Sequence, residues 1–71
     1  MKPHIFELNG EAFIELNKLL KIVQLVNSGG EANTCISNGE VKVNNDIETR
    51  KRHKVRTGFK VEFDGETLIV E

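Results

Sequence analysis

Basic side chains crowd one short stretch of the chain. Between Arg50 and Arg56, five of the seven residues are lysine or arginine, and we call residues 50–56 the basic segment. Like charges this close repel one another, which destabilises the fold unless an anion is a frequent neighbour. The phosphates of a polyanion fit, because each neutralised phosphate also releases counterions. A solvated sheet edge, where cations discourage pairing between molecules, explains the same residues equally well.

A second candidate anion site lies at Ser28-Gly29-Gly30, which Glu31 follows. A serine with a glutamate three residues later forms a capping box and predicts the start of a helix. The N-terminus of a helix attracts phosphate, and the two glycines would let a sugar-phosphate backbone come close. The Glu31 carboxylate competes for the same positive end. An ordinary capped helix with a flexible first turn explains these residues too.

The remaining reactive residues form no catalytic or metal-binding pattern. Cys35 falls on the apolar stripe of the predicted helix, where we expect a buried small hydrophobe. His4 and His53 are far apart in sequence and have no cysteine or carboxylate at ligand spacing, whereas a zinc site needs three or four ligands. We therefore expect a protein that is not an enzyme and that uses no cofactor and no metal.

The aromatic residues narrow the kind of nucleic acid that would bind. The sequence has four phenylalanines and neither tryptophan nor tyrosine. Phe6, Phe13, Phe59 and Phe63 stand in apolar patterns that suit the core. Proteins that bind single strands usually present aromatic rings for stacking. Folded or double-helical RNA, recognised by its shape and phosphates, is therefore the predicted ligand.

Local patterns place these residues on two helices and a strand. Apolar residues at helical spacing from Leu16 to Val23 predict a first helix. A connection of about three residues, 25–27, makes the second helix its immediate neighbour. That helix runs from Ser28 to Gly39, where glycine can take the left-handed conformation that ends a helix. Strict alternation then predicts a strand at 41–43.

Further strands are predicted on both sides of this unit. Residues 4–8 have strand composition, and residues 11–14 lead into the first helix or form its first turn. Alternation at 59–63, the turn signal Asp64-Gly65 and residues 67–70 predict a hairpin. The fold class is therefore α+β, with two adjacent short helices packed on a small, mostly antiparallel sheet.

Length and charge define the broad class of protein. With 71 residues, the chain allows one small domain, residues 1–71. The net charge of −1 favours no partner. The window from Lys42 to Lys60, however, contains seven basic residues and only two acidic ones. The single cysteine points to a reducing compartment. Neither a signal peptide nor an apolar run near the ~20 residues of a membrane span is present, so we expect a cytoplasmic protein with no membrane partner.

Several short motifs follow one another in a fairly specific order and spacing. In chain order they are Leu16…Leu20, Val26-Asn27-Ser28, Ala32, Ile36 and Gly39-Glu40-Val41-Lys42-Val43-Asn44. This pattern resembles the S4 RNA-binding domain, with a core over about residues 16–61. Ser28-Gly29-Gly30 and Glu48–Arg52 are similar to one subgroup of that family, the small stand-alone bacterial S4-domain proteins.

The resemblance implies RNA binding on a face built by the two helices, the strand after them and the basic segment. The residues expected to bind RNA are Lys18, Lys21, Ser28, Gly29, Gly30, Asn33, Lys42, Arg50, Lys51, Arg52, Lys54 and Arg56. The chain departs from the family pattern at two positions. Many S4 domains have an arginine directly after the serine, where this chain has Gly29, and an aspartate after the late glycine, where it has Phe59.

Together these observations predict a monomeric, non-enzymatic module that docks on structured RNA through a basic face. Ribosomal RNA, or RNA of ribosome assembly or translation, is the expected partner, and no small-molecule substrate is expected. The alternative is a protein-interaction or accessory module whose basic face binds an acidic partner protein. RNase treatment of a pull-down distinguishes the two, because only protein partners survive it.

Overall fold

Two helices and a five-stranded sheet share one apolar core in the computed structural model, which describes residues 3–71. A separate two-stranded sheet completes the fold. The elements in chain order are β1 (His4–Phe6), β2 (Ile14–Glu15), α1 (Leu16–Ile22), α2 (Gly29–Ser37), β3 (Val41–Val43), β4 (Asp46–Ile47), β5 (Lys54–Val55), β6 (Lys60–Phe63) and β7 (Glu66–Val70). The predicted α+β class, with two adjacent helices and a mostly antiparallel sheet, is confirmed.

The main sheet has the strand order β1-β7-β6-β3-β4, and every pair in it is antiparallel except β1 with β7. The predicted hairpin joins β6 to β7. Its turn residues Asp64 and Gly65 have φ angles of 52° and 77°. Both angles are in the left-handed region that the tight type I′ hairpin turn requires.

The core is built from the apolar face of each element. Its buried members are Leu8, Leu16, Leu19, Leu20, Val26, Ala32, Ile36, Val41, Val43, Val55, Val61, Phe63, Leu68 and Val70. The helical spacing that predicted α1 supplies three of these leucines, and all three are fully buried. Cys35 was expected to be buried and is only half-buried, at the edge of this cluster.

The connection between the helices is longer than predicted. Six residues, Val23–Ser28, separate the end of α1 from the start of α2. Gln24 turns the chain with a φ of 62°, and the Leu25 N–H donates to the Leu20 carbonyl at 3.0 Å. Val26, within this connection, is buried. The prediction of a three-residue connection was therefore wrong.

The segment before α1 leads into the helix, one of the two predicted alternatives, but it does so as a strand that was not predicted. Ile14 and Glu15 form strand β2, which pairs antiparallel with Val55 and Lys54 of β5. Residues 11–14 therefore do not form the first turn of the helix. Val55 is fully buried, so the only clearly apolar residue of the basic segment attaches this segment to the core.

Candidate nucleic-acid interface

The basic segment lies against the N-terminal end of α1. The N–H groups of Leu16 and Asn17, the first two helical residues, donate to the carbonyls of His53 and Lys51 at 2.9 and 3.0 Å. The first N–H groups of a helix have no partner within the helix and need one elsewhere. The basic segment satisfies two of them, and this fixes its backbone.

One carboxylate positions two side chains of the basic segment. Glu48 accepts from Nε of Arg50 at 2.9 Å and from Nη2 at 3.1 Å. Nδ1 of His53 lies 3.5 Å from the same carboxylate. The hydrogen bonds from the Arg50 side chain are the main reason that the pKa of Glu48 falls from 4.5 to about 2. The ionised carboxylate of Glu48 thus holds the side chains of Arg50 and His53 in place.

A groove with a volume of about 540 Å³ runs along the basic segment. Its lining residues are Arg50, Arg52, His53, Lys54, Arg56 and Phe59. The rings of His53 and Phe59 are stacked, with their centroids 6.3 Å apart and an interplanar angle of 28°. We call this feature the basic groove. It combines cations with two planar rings.

Phe13 lies beside the basic groove and contacts two of its cations. Nζ of Lys54 is 5.0 Å from the centre of the Phe13 ring, and Cζ of Arg56 is 5.7 Å from it. Arg56 also donates to the Ala12 carbonyl at 3.5 Å. A cation over a ring face is attracted by the quadrupole of the ring. Both cations are thereby held near the Phe13 ring.

The prediction that all four phenylalanines suit the core was wrong for Phe13, which is 36% exposed. Phe59 is half-buried and lines the basic groove. The argument that the chain presents no aromatic ring to a ligand therefore fails. An exposed ring and a buried ring have the same local pattern in sequence, so alternation could not separate them.

Lys18 and Arg52, the latter a lining residue of the basic groove, both lie near Glu15. Nζ of Lys18 lies 3.5 Å from the Glu15 carboxylate, and Nε of Arg52 lies 4.0 Å from it. Both basic side chains are mostly exposed, at 70% and 82%. Exposed pairs of this kind contribute little to stability. Lys18 and Arg52 therefore stay available to another anion.

Helix α2 begins as the sequence predicted. Ser28 Oγ accepts from the Glu31 N–H at 3.1 Å, and the Glu31 carboxylate accepts from the Asn27 N–H at 2.7 Å. A side chain at Gly29 would meet nothing within 4 Å. At Gly30 it would meet only Ser28 Oγ, at 3.9 Å. There is therefore free space beside the two glycines, while the Glu31 carboxylate binds at the start of the helix.

Asn33 joins the two helices. Its side-chain oxygen accepts from the Asn17 side chain at 3.0 Å, and the Asn17 backbone N–H donates to Lys51. Helix α2 is thus connected to the basic segment through a single residue of α1. Lys21, in the last turn of α1, is exposed.

Lys42 lies apart from the basic groove. Its strand neighbours Val41 and Val43 are buried, so Lys42 points from the opposite face of the sheet. There it is paired with Ile47 and Glu62 of the adjacent strands. The structure brings together Arg50, Arg52, Lys54 and Arg56, but it does not bring Lys42 to them.

Four residues of this surface were not selected from the sequence as binding residues. They are Phe13, Glu48, His53 and Phe59. The spacing of Glu48 and Arg50, two residues apart in an extended stretch, is a signal for the ion pair. Phe13 and Phe59 become recognisable only once the pairing of β2 with β5 is known.

Within residues 3–71, no three His, Cys, Asp or Glu side chains lie close enough together to hold a metal ion. In the same part of the chain, no helix is long and apolar enough to cross a membrane.

Fold and surface together define a small α+β domain of the S4 type, with two adjacent helices beside a basic segment. The family model described as the S4 domain matches residues 6–71, and the chain belongs to this family. The resemblance stated above is therefore confirmed.

Two curated relatives are similar over nearly the whole chain. One is "Putative RNA-binding protein YbcJ" of Escherichia coli strain K12, and the other is "Uncharacterized protein YbcJ" of Shigella flexneri. Each is 40% identical over 65 residues, which cover 92% of this chain and 93% of the relative. The first relative is named for RNA binding, and neither name indicates a catalytic activity.

A solved structure is similar as well. The solution structure of YbcJ from E. coli superposes with a TM-score of 0.76 at 37% sequence identity. The superposition covers 99% of this chain and 89% of the other. That structure is described as revealing an αL motif involved in RNA binding.

Proposed function

We propose that this chain is a non-enzymatic RNA-binding protein that docks on structured RNA through the basic groove and the start of α2. The observation that carries this proposal is the arrangement of the basic groove, in which Arg50, Arg52, Lys54 and Arg56 line one depression. Membership of the S4 family and the name of the E. coli relative support it.

The proposed docking is electrostatic. Cations of the basic groove bind phosphates, and Lys18, Lys21 and Lys51 extend the same positive surface around α1. Ser28, Gly29, Gly30 and Asn33 receive the sugar-phosphate backbone at the helix end, where the two glycines have open space beside them. Sequence readout is slight, because contacts to phosphate position a protein without reading bases.

The proposed partner is ribosomal RNA or RNA of ribosome assembly or translation, bound by a monomer in the cytoplasm. Crosslinking the protein to RNA in cells and sequencing the bound fragments tests the identity of the RNA. Enrichment of fragments from outside the ribosomal and translation-related RNAs would reject this part of the proposal.

A matched pair of variants tests the binding surface. Arg52→Ala removes a charge that is 82% exposed in the basic groove, and Lys60→Ala removes one from β6, where Lys60 pairs with Glu62 at 3.8 Å. We expect Arg52→Ala to weaken binding of a labelled RNA hairpin severalfold. Its salt dependence should fall by about one unit in log–log slope. Lys60→Ala should change neither quantity.

Equal binding by both variants would exclude the basic groove as the site. A pull-down with and without RNase separates this proposal from the acidic-protein alternative. Partners that survive RNase and are lost on Arg52→Ala would favour the protein-interaction module.

A further inference from the structure

The basic groove contains more than the charges that bind phosphate. His53 and Phe59 present two nearly parallel rings in it, with centroids 6.3 Å apart. Offset parallel rings are a favourable arrangement for aromatic groups, and a further planar ring can extend such a stack. A double helix offers no such ring to a groove, because its bases are paired and stacked inside. An unpaired nucleotide does offer one.

Glu48 fixes the ring and a cation beside each other. It binds Arg50 through two hydrogen bonds and approaches His53 at 3.5 Å. The Glu48 side chain is only 14% exposed, whereas the Arg50 side chain is 74% exposed. Two of the five guanidinium N–H groups are used by Glu48, which leaves three for a phosphate. The cation is therefore oriented before any ligand arrives.

The size of the basic groove suits one nucleotide. Its volume of about 540 Å³ falls within the range of roughly 300–1,000 Å³ that is usual for sites that hold a small organic ligand. Along a strand of RNA, a phosphate flanks each base. A site for one unpaired nucleotide therefore needs planar rings with cations next to them, and the basic groove has both.

We propose that the basic groove takes one unpaired nucleotide of the RNA, such as a bulge, with its base stacked on the His53–Phe59 pair and its phosphates on Arg50 and Arg52. This inference rests on the proposed function, and it deepens it: the structured RNA carries an unpaired nucleotide at the docking position. It also gives Phe59, one of the two residues that depart from the family pattern, a role in recognition.

Three RNA probes test this inference by fluorescence anisotropy. The first is a labelled hairpin with a single uridine bulge, the second is the same hairpin fully paired, and the third has an abasic residue in the bulge. We expect the uridine bulge to bind at least about fivefold more tightly than the other two, the lower limit for stacking one base.

Phe59 variants test the ring directly. Phe59→Leu should reduce the ratio of the affinities for the uridine bulge and the paired hairpin to about one, and Phe59→Tyr should keep the ratio of the unchanged protein. Phe6→Leu, at a half-buried phenylalanine of β1, is the matched control and should keep it too. Circular dichroism checks that each variant is folded. If Phe59→Leu does not fold, a comparison of the abasic and uridine bulges with the unchanged protein still tests whether the base contributes to binding.

The outcomes separate this inference from the function on which it rests. Equal binding of all three hairpins, with a loss on Arg52→Ala, would overturn the nucleotide site and keep RNA binding through phosphates. A preference for the bulge that survives Phe59→Leu would overturn the assigned stacking surface. Failure of the unchanged protein to bind any of the three RNAs would count against RNA binding itself.

Discussion

Asn17 of α1 donates its side-chain amide to the side-chain oxygen of Asn33 in α2, at 3.0 Å. Its backbone N–H meanwhile donates to Lys51 of the basic segment, also at 3.0 Å. One residue thus connects the two helices and the basic segment. The relative position of the two halves of the proposed interface depends on it.

Loss of this link should lower stability. We expect Asn17→Ala to reduce the free energy of unfolding by about 1–2 kcal/mol, because its side chain donates to Asn33 and accepts from the Lys18 N–H. Urea denaturation measures it. In a double-mutant cycle with Asn33→Ala, the combined loss should be smaller than the sum of the single losses. Ser37→Ala, at an exposed position of α2, is the control. Strictly additive losses would show that the two side chains do not interact.

Acid should weaken the fold through Glu48. Because Arg50 lowers the pKa of Glu48 from 4.5 to about 2 in the folded chain, the ionised carboxylate contributes stability that is fully present above about pH 4.5. That contribution is lost as the pH falls toward 2. Unfolding midpoints between pH 7 and pH 2 measure this loss.

Glu48→Gln is the matched variant for the acid prediction. Its side chain keeps a hydrogen-bond acceptor for Arg50 but cannot be protonated in this range. We expect the Glu48→Gln variant to be less stable than the unchanged protein at pH 7. Near pH 2 the two proteins should have similar stability. A constant difference across the range would show that Glu48 does not titrate as described.

Two glycines should respond in opposite ways to alanine. Gly39 follows α2 with a φ of 76°, and an added Cβ would lie 3.5 Å from Ile47 Cγ2, an ordinary contact. The added methyl group therefore fits, but alanine is strained at this left-handed φ. We expect Gly39→Ala to destabilise the fold by about 1–2 kcal/mol. Gly29→Ala should be neutral or slightly stabilising, because the position is helical and open. Thermal denaturation of both variants checks this.

Lys51 and Lys42 should differ in their contribution to RNA binding. The Lys51 carbonyl accepts from α1 beside the basic groove, whereas Lys42 lies on the outer face of the sheet opposite Glu62. We expect Lys51→Ala to lower affinity for an RNA hairpin and to reduce the salt slope by about one unit. Lys42→Ala should do neither. An equal loss for both would extend the interface across the sheet.

The parts of the fold that the sequence predicted depend on neighbouring residues. Ser28 and Glu31 start α2, and Asp64-Gly65 closes the hairpin, because caps and tight turns use groups a few residues apart. The pairing of Ile14 with Val55 depends on residues far apart in the chain. No local pattern contains it, and β2 was missed for that reason.

The candidate site was likewise predictable where it depends on neighbouring residues and not where it depends on residues far apart in the chain. The cations of the basic segment were evident from composition, but their surroundings were not. The groove between these cations and the exposure of Phe13 follow from how the chain packs. A pattern of apolar residues cannot tell a ring in the core from a ring beside two cations. The prediction that all four phenylalanines suit the core failed on this point.

The parallel pairing of β1 with β7 has a mechanical consequence. His4 is opposite Leu68 and Phe6 is opposite Val70, so the chain enters β1 at one end of the pair and leaves β7 at the other. Tension on the two ends would load the hydrogen bonds of this pair together, in shear, instead of opening them one after another. Glu71 extends the pair through bonds of 2.8 Å to Phe6 and Leu8. Resistance to pulling therefore resides where the first and last strands meet.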